Sequence, residues 1–131
     1  MITFTHNSNV VFNMNSKGIS PVLEYINVLR KDRSKQGRVR INKIYDYIQA
    51  LEVYGAEKLP SNYVKHLDGP IWEIRPKRDR ILFAKIDYGP YVLLHCFYKT
   101  TQKTPRCEID KAYKELDYYK ERMLYEKENK I

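Results

Sequence analysis

Ile71-Trp72-Glu73-Ile74-Arg75-Pro76, Arg80-Ile81-Leu82-Phe83-Ala84-Lys85-Ile86-Asp87 and Tyr91-Val92-Leu93-Leu94-His95-Cys96-Phe97-Tyr98 follow one another in the middle of the chain and decide its fold. All three are rich in β-branched and aromatic residues and too short for ordinary helices, so they read as strands. Pro76 stops the first, and Asp87-Tyr88-Gly89-Pro90 is a turn between the second and third. Connections this short allow only antiparallel pairing, which makes the three strands a meander. Val92 to Phe97 is apolar on both faces, so the third strand is expected to lie centrally and to be covered on both sides. Along the first strand, Trp72 and Ile74 share one face and Glu73 and Arg75 the other.

Outward from the meander the period changes. On the N-terminal side, residues 9 to 14 form a short strand candidate. Ser20-Pro21 reads as an N-cap followed by proline at the first helical position. Val22, Leu23, Ile26 and Leu29 then recur at helical spacing, predicting a helix over about residues 21–33. Gly37 is read as the separator before a second helix, whose face is Ile41, Ile44, Tyr45, Ile48 and Leu51 and which Gly55 closes, near Leu59-Pro60. On the C-terminal side, Thr104-Pro105 opens a last helix with Ile109, Ala112, Tyr113, Leu116 and Met123 on one stripe. The expectation is a compact α+β domain: strand, two helices, an antiparallel meander, and a C-terminal helix, with the helices gathered against one sheet.

A chain of 131 residues suits one domain spanning residues 1–131. No apolar run of roughly 18 residues offers a membrane span. The start, Met1-Ile2-Thr3-Phe4-Thr5-His6, lacks the pattern of a signal peptide. Residues 1–8 and 126–131 are expected to be flexible ends. Cys96 and Cys107 make no disulfide framework, so a reduced, cytoplasmic setting is expected.

Net charge is +8, and it is clustered. Residues 30 to 43 hold seven Lys or Arg against one acid, residues 65 to 80 five against three, and residues 98 to 107 three against none. Together with 12 tyrosines, this points to a polyanion that also presents planar bases, either RNA or DNA.

Metal chemistry is not indicated. His6, His66 and His95 are far apart and lack ligand spacing, and no carboxylates pair among the strands. His95, within an apolar strand, reads as a hydrogen-bonded structural residue, and Cys96 as core. No glycine-rich phosphate loop exists, and no cofactor is expected. The suggestive region is one end of the meander. There Arg75 ends the first strand, Arg80 begins the second, and Tyr98-Lys99 ends the third. These four are expected to converge, with Lys103 and the free amides of the last helix beside them, as a set suited to a phosphate. RNA carries its own nucleophile, the 2′-hydroxyl. Cleavage then requires an in-line geometry, a proton acceptor and cations around the phosphate.

The stretch Leu67-Asp68-Gly69-Pro70-Ile71-Trp72-Glu73-Ile74-Arg75, then Arg80-Ile81-Leu82-Phe83, then Leu93-Leu94-His95-Cys96-Phe97-Tyr98-Lys99-Thr100-Thr101-Gln102-Lys103-Thr104-Pro105 with Ala112 beyond it, resembles the phage-derived HigB-like branch of the RelE toxin superfamily. Ser20-Pro21 with Leu23 and Tyr25 is similar to the start of that family's first helix, and the resemblance covers roughly residues 9 to 120. It implies a RelE-like fold and a type II toxin that cuts messenger RNA on the ribosome without a metal. It further implies a helix-turn-helix, HigA-like antitoxin as partner, with operator DNA reached only through that antitoxin. By position, Arg75, Arg80, Tyr98, Lys99 and Lys103 are the expected catalytic set. Lys65, Lys77, Arg78, Gln102 and Arg106 are expected to bind RNA around it. Arg33, Lys35 and Arg38 are expected to contact the antitoxin or the ribosome. Two departures stand out. Tyr98 occupies a position where many relatives have lysine, and Pro76-Lys77-Arg78-Asp79 replaces a commoner glycine-bearing turn. Two other functions remain open on the same fold: a ParE-like gyrase inhibitor without nuclease activity, and a plain nucleic-acid-binding module.

Overall fold

The computed structural model describes residues 9–129. The chain runs β1 (Val10–Phe12), α1 (Pro21–Arg30), α2 (Lys35–Tyr54), a 3-10 turn (Ala56–Lys58), β2 (Val64–Asp68), β3 (Ile71–Ile74), β4 (Asp79–Lys85), β5 (Tyr91–Tyr98) and α3 (Arg106–Glu128). It is the expected α+β arrangement. Helix α3 continues to Glu128, into the stretch expected to be a loose end. The expected N-terminal tail and residues 130 and 131 lie outside the described residues. None of the described helices is long and apolar enough to cross a membrane.

Local chemistry explains the helix starts. Ser20 Oγ accepts from the Leu23 N–H at 3.2 Å, and Pro21 supplies a preset φ at the first helical position. Ser34 caps α2 in the same way, accepting from the Gly37 N–H at 3.1 Å. Gly37 therefore does not separate the helices, as the sequence suggested; it lies in the first turn of α2. A Cβ there would run into the backbone carbonyl and side chain of Asp32, so the glycine permits the tight approach of the linker. Gly55, at φ +81°, does end α2, with its N–H bonded to Leu51 O at 2.9 Å.

The sheet has the order β1-β5-β4-β3-β2. Strands β2 to β5 form a four-stranded antiparallel meander, one strand more than the sequence reading found. The unforeseen strand, β2, has exposed Lys65 and His66 side by side between Val64 and Leu67 and turns into β3 at Gly69, whose φ is +50°. Its polar half obscured the pattern. β1 adds to β5 in parallel, with Val10 beside Tyr91 and Phe12 beside Leu93. β5 thus lies between two strands, as its apolar run required.

Both faces of the sheet are covered. On one, Val22, Ile26, Ile44, Ile48 and Leu51 of α1 and α2 pack on Ile74, Ile81, Phe83 and Leu93. On the other, Ile109, Ala112 and Leu116 of α3 pack on Ile71, Leu82, Val92 and Leu94. Burying each of these Val, Ile, Leu and Phe side chains stabilises the fold by about 1.5–3 kcal/mol before entropy is counted. A bulge interrupts the β4–β5 register: Leu82 pairs with His95 and Phe83 with Leu93, leaving Leu94 as the extra residue. The bulge lets Leu94 enter the α3 core while His95 also meets α3, its Nε2 lying 3.1 Å from Glu108 Oε1. His95 is accordingly a hydrogen-bonded structural residue, as the sequence suggested. Burial, against the pull of Glu108, holds its pKa below the ordinary histidine value.

One polar tie crosses the α1–α2 face. Asp79, the first residue of β4 and 1% exposed, accepts from the Tyr25 hydroxyl at 2.5 Å. It also takes a two-pronged contact from Arg40, at 3.1 Å to Oδ2 and 2.7 Å to Oδ1. Burial first, and Asp79 next, push the Tyr25 hydroxyl well above the ordinary tyrosine value, which keeps it a donor. Asp79→Asn is expected to cost about 1–3 kcal/mol, because Arg40 loses its charge partner but still reaches water. Tyr25→Phe should cost about 1 kcal/mol, the worth of one hydrogen bond. Urea unfolding measures both. An Asp79→Asn protein as stable as the wild type would show that apolar packing alone holds the helices.

Candidate functional site

The meander ends place a group of charges where the sheet extends past the N-terminus of α3. Glu73 of β3 and Arg75 just beyond it share one face, as alternation along the strand predicts, and Lys65 of β2 is Glu73's register partner. Arg80, second in β4, faces the same way, and Lys99 follows the end of β5. Glu73 is 2% exposed and lies at the centre. Its Oε1 accepts from Thr104 Oγ1 at 2.6 Å, its Oε2 lies 3.4 Å from Arg75 Nε, and Oε1 lies 3.8 Å from Arg80 Nε.

Backbone carbonyls hold the two guanidinium groups. Arg75 Nη1 donates to Ser61 O at 2.9 Å, while Arg80 Nη1 donates to Lys77 O at 2.5 Å and to Asp79 O at 3.1 Å. Yet the Nε atoms of both arginines are buried and have no hydrogen-bond partner among the described residues. Burial lowers the affinity of Arg80 for its proton, with Arg75 and Arg78 adding repulsion and Glu73 opposing it. Lys99 is also held below the ordinary lysine value, first by desolvation and then by Arg80, with Arg75 and Lys65 adding to the effect. One carboxylate thus faces several cations and does not balance them.

Beside the cluster a cleft of about 570 Å³ is lined by Lys77, Arg78, Arg80, Lys99 and Gln102 among others. Reciprocal bonds shape its rim: the Lys99 N–H donates to Arg78 O at 2.7 Å, and Arg78 Nε donates to Lys99 O at 3.0 Å. Lys77 takes a left-handed φ of 56° to make the tight β3–β4 turn. The N-terminus of α3, at Pro105, has no side-chain cap among the described residues, and the Glu108 N–H donates to Pro105 O at 3.1 Å.

Of the expected catalytic set, Arg75, Arg80 and Lys99 are brought together. Tyr98 is not. It stands opposite Asp79 in the β4–β5 ladder, on the α2 face, with the Arg40 guanidinium carbon 4.9 Å and that of Arg78 5.7 Å from its ring centre. Neighbours on a pleated strand end point to opposite faces, and the sequence reading had grouped them by proximity along the chain. Lys103 is exposed in the loop before α3, and none of the described contacts joins its ammonium to the cluster. Among the expected RNA contacts, Lys65, Lys77, Arg78 and Gln102 border the site. Arg106 is instead engaged with Asp68 at 3.3 Å and Asp110 at 3.0 Å. Arg33, Lys35 and Arg38 lie around the α1–α2 junction, where Arg38 Nη1 donates to Arg33 O at 2.9 Å and Lys35 reaches the Tyr98 side.

Sequence reasoning missed the role of Glu73 and of Thr104. The signal was present in the shared face of Glu73 and Arg75, but the partner across 31 positions of chain was not visible. Among the described residues no group of three or more His, Cys, Asp or Glu side chains is placed to hold a metal ion.

Removing the central carboxylate tests the arrangement. Glu73→Ala leaves buried Arg80 beside other cations without compensation and is expected to destabilise the fold by about 3–5 kcal/mol. Phosphate should restore more thermal stability to this variant than to the wild type, because an anion replaces the missing charge. Equal gains in both proteins would mean that the cluster does not hold an anion.

Residues 31–117 match the family model described as "Phage derived protein Gp49-like (DUF891)". No curated protein matches the chain at a significant level. The matched segment covers well over half of the chain and runs from just after α1 through the first half of α3, so it contains Glu73, both arginines and Lys99. The chain therefore belongs to the phage-derived Gp49-like family.

Proposed function

We propose that this protein is a HigB-like toxin of a type II toxin–antitoxin pair, acting in the cytoplasm as a ribosome-dependent endoribonuclease on messenger RNA. The observation that carries the reading is the excess of cations around buried Glu73, with Arg80, Lys99, Lys77 and Arg78 also lining the adjoining cleft. Such a set of donors fits a phosphodiester. Family membership and the Leu93-to-Pro105 motif point the same way.

In this mechanism Arg75 and Arg80 bind the non-bridging oxygens of the scissile phosphate. They stabilise the charge that builds as the RNA 2′-hydroxyl gives up its proton to water and its oxygen attacks phosphorus. The bond from phosphorus to the 5′-oxygen breaks, giving a 2′,3′-cyclic phosphate and a 5′-hydroxyl. Lys99, whose ammonium releases its proton more readily than an ordinary lysine, donates a proton to the leaving 5′-oxygen. Glu73 is a positioning residue that keeps both guanidinium groups in place. A helix-turn-helix antitoxin is the expected partner, and the ribosome presents the transcript.

Primer extension on a translated transcript tests the proposal. Cuts within the coding region are expected, and their absence alongside gyrase inhibition would replace it with the ParE-like reading. Arg75→Ala and Lys99→Ala should each lose about 10²- to 10³-fold in cleavage rate, the usual cost of one transition-state contact. Lys103→Ala, outside the cluster, should lose far less, and Lys127→Ala on the far end of α3 should stay toxic.

The pH profile gives an independent check. Activity should fall as pH rises through the Lys99 pKa, on a limb below the ordinary lysine value of 10.5. Lys99→Arg, which holds its proton, should lack that limb. An unchanged limb would remove Lys99 from proton transfer.

A further inference from the structure

On the opposite face of the sheet from Lys99 lies a cavity of about 430 Å³, between the first turns of α2 and the β3–β4 turn. Lys35, Gln36 and Arg40 line it from α2, and Lys77, Arg78 and Tyr98 from the sheet. Its one carboxylate, Asp79, is already committed to Arg40 and Tyr25, so the cavity presents a strong excess of positive charge. Its size falls within the range of small-molecule sites, larger than a bare phosphate requires.

The lining has a second property. Tyr98 is 44% exposed, and guanidinium groups of Arg40 and Arg78 lie against its ring. An exposed phenol with guanidinium groups over its ring offers the aromatic and cationic surfaces on which nucleobases stack. Gln36 adds an amide that can both donate to and accept from a base edge. Lys77 and Arg78 also line the cleft on the Lys99 side, so one turn forms the ridge between the two sites. A polyanion tracking this ridge passes from one to the other.

We infer that this cavity binds a nucleotide of single-stranded RNA neighbouring the one whose phosphate lies at Arg75 and Lys99, with the base stacked on the Tyr98–arginine group and a phosphate on Lys35 and Lys77. The identity of that strand rests on the nuclease reading. An acidic protein segment would use the cations but has no need of the aromatic surface or of continuity with the cleft. Tyr98 is thus a base-binding residue, and the cavity discriminates among nucleotides next to the cut.

The test is a titration of the isotopically labelled protein with adenosine 3′-monophosphate, followed by amide resonances. Saturable shifts are expected at Gln36, Val39 and Tyr98. Tyr98→Ala should weaken them roughly 5- to 100-fold, the range for loss of one stacked base, and Tyr98→Phe should retain them. Lys35→Glu, on the exposed first turn of α2, gives a second variant in which the fold is not at issue, and it too should bind more weakly. Ribose 5-phosphate giving the same shifts at the same affinity would reduce the cavity to an anion site and overturn the inference. So would silence toward the nucleotide with a response to a Glu/Tyr-rich peptide, which would make it a protein-docking site. The two readings fail separately. Nucleotide shifts without transcript cleavage would leave the cavity and remove the nuclease, whereas cleavage that depends on Lys99 without nucleotide shifts would do the reverse.

Discussion

The Asp79 carboxylate, buried beneath Tyr25 and Arg40, ties α1 and α2 to the first residue of β4. A buried carboxylate is costly to desolvate and is retained only when its oxygens are well satisfied. Here a phenol and a two-pronged guanidinium satisfy both. The consequence extends to the next residue. With Asp79 held against the α2 face, the pleat turns Arg80 to the other face, toward Glu73. The clamp on one side of the sheet therefore sets the geometry of the charge cluster on the other.

Glu73 makes the matching contact on the α3 side. It is held by Thr104 at the approach to α3, and its charge offsets only part of the field of Arg75, Arg80 and Lys99. A fully neutralised cluster would be a structural ion-pair network with little affinity for a ligand. An uncompensated one would be unstable without an anion. The single carboxylate lies between these limits: enough to keep two guanidinium groups in a partly dry site, too little to quench them. That balance is the physical basis for reading the site as one for a phosphodiester, where charge builds in the transition state and the donors are already oriented.

The fold was legible wherever one period dominated. The Ile71–Tyr98 meander, the apolar stripe of α3 and the cap at Ser20 all followed from local chemistry. Two features escape a reading by period alone. Glycine usually marks a break, but Gly37 lies inside α2 and is glycine because Asp32, in the linker just before the helix, packs on it. β2 escaped notice because Lys65 and His66 are polar, while the strand is defined by pairing with β3. The first depends on the fold of a short linker and the second on strand pairing, and hydrophobic periodicity reports neither.

The site followed the same division. Sequence alone determined that Arg75, Arg80 and Lys99 share one end of a meander, because strand order, short turns and a period of two dictate it. It also determined the basic character of the α1–α2 junction, since charge is a property of composition. Alternation along β5 already separates Tyr98 from Lys99, but only the tertiary structure decided that Tyr98 meets α2, that Lys103 stays outside the group, and that Glu73 stands at its centre. Each of these depends on where a side chain lands after the sheet is covered by helices from both sides. Thr104 is far from Glu73 in sequence, and Arg40 is far from Asp79, so the packing of helices on the sheet brings each pair together and no local pattern encodes it.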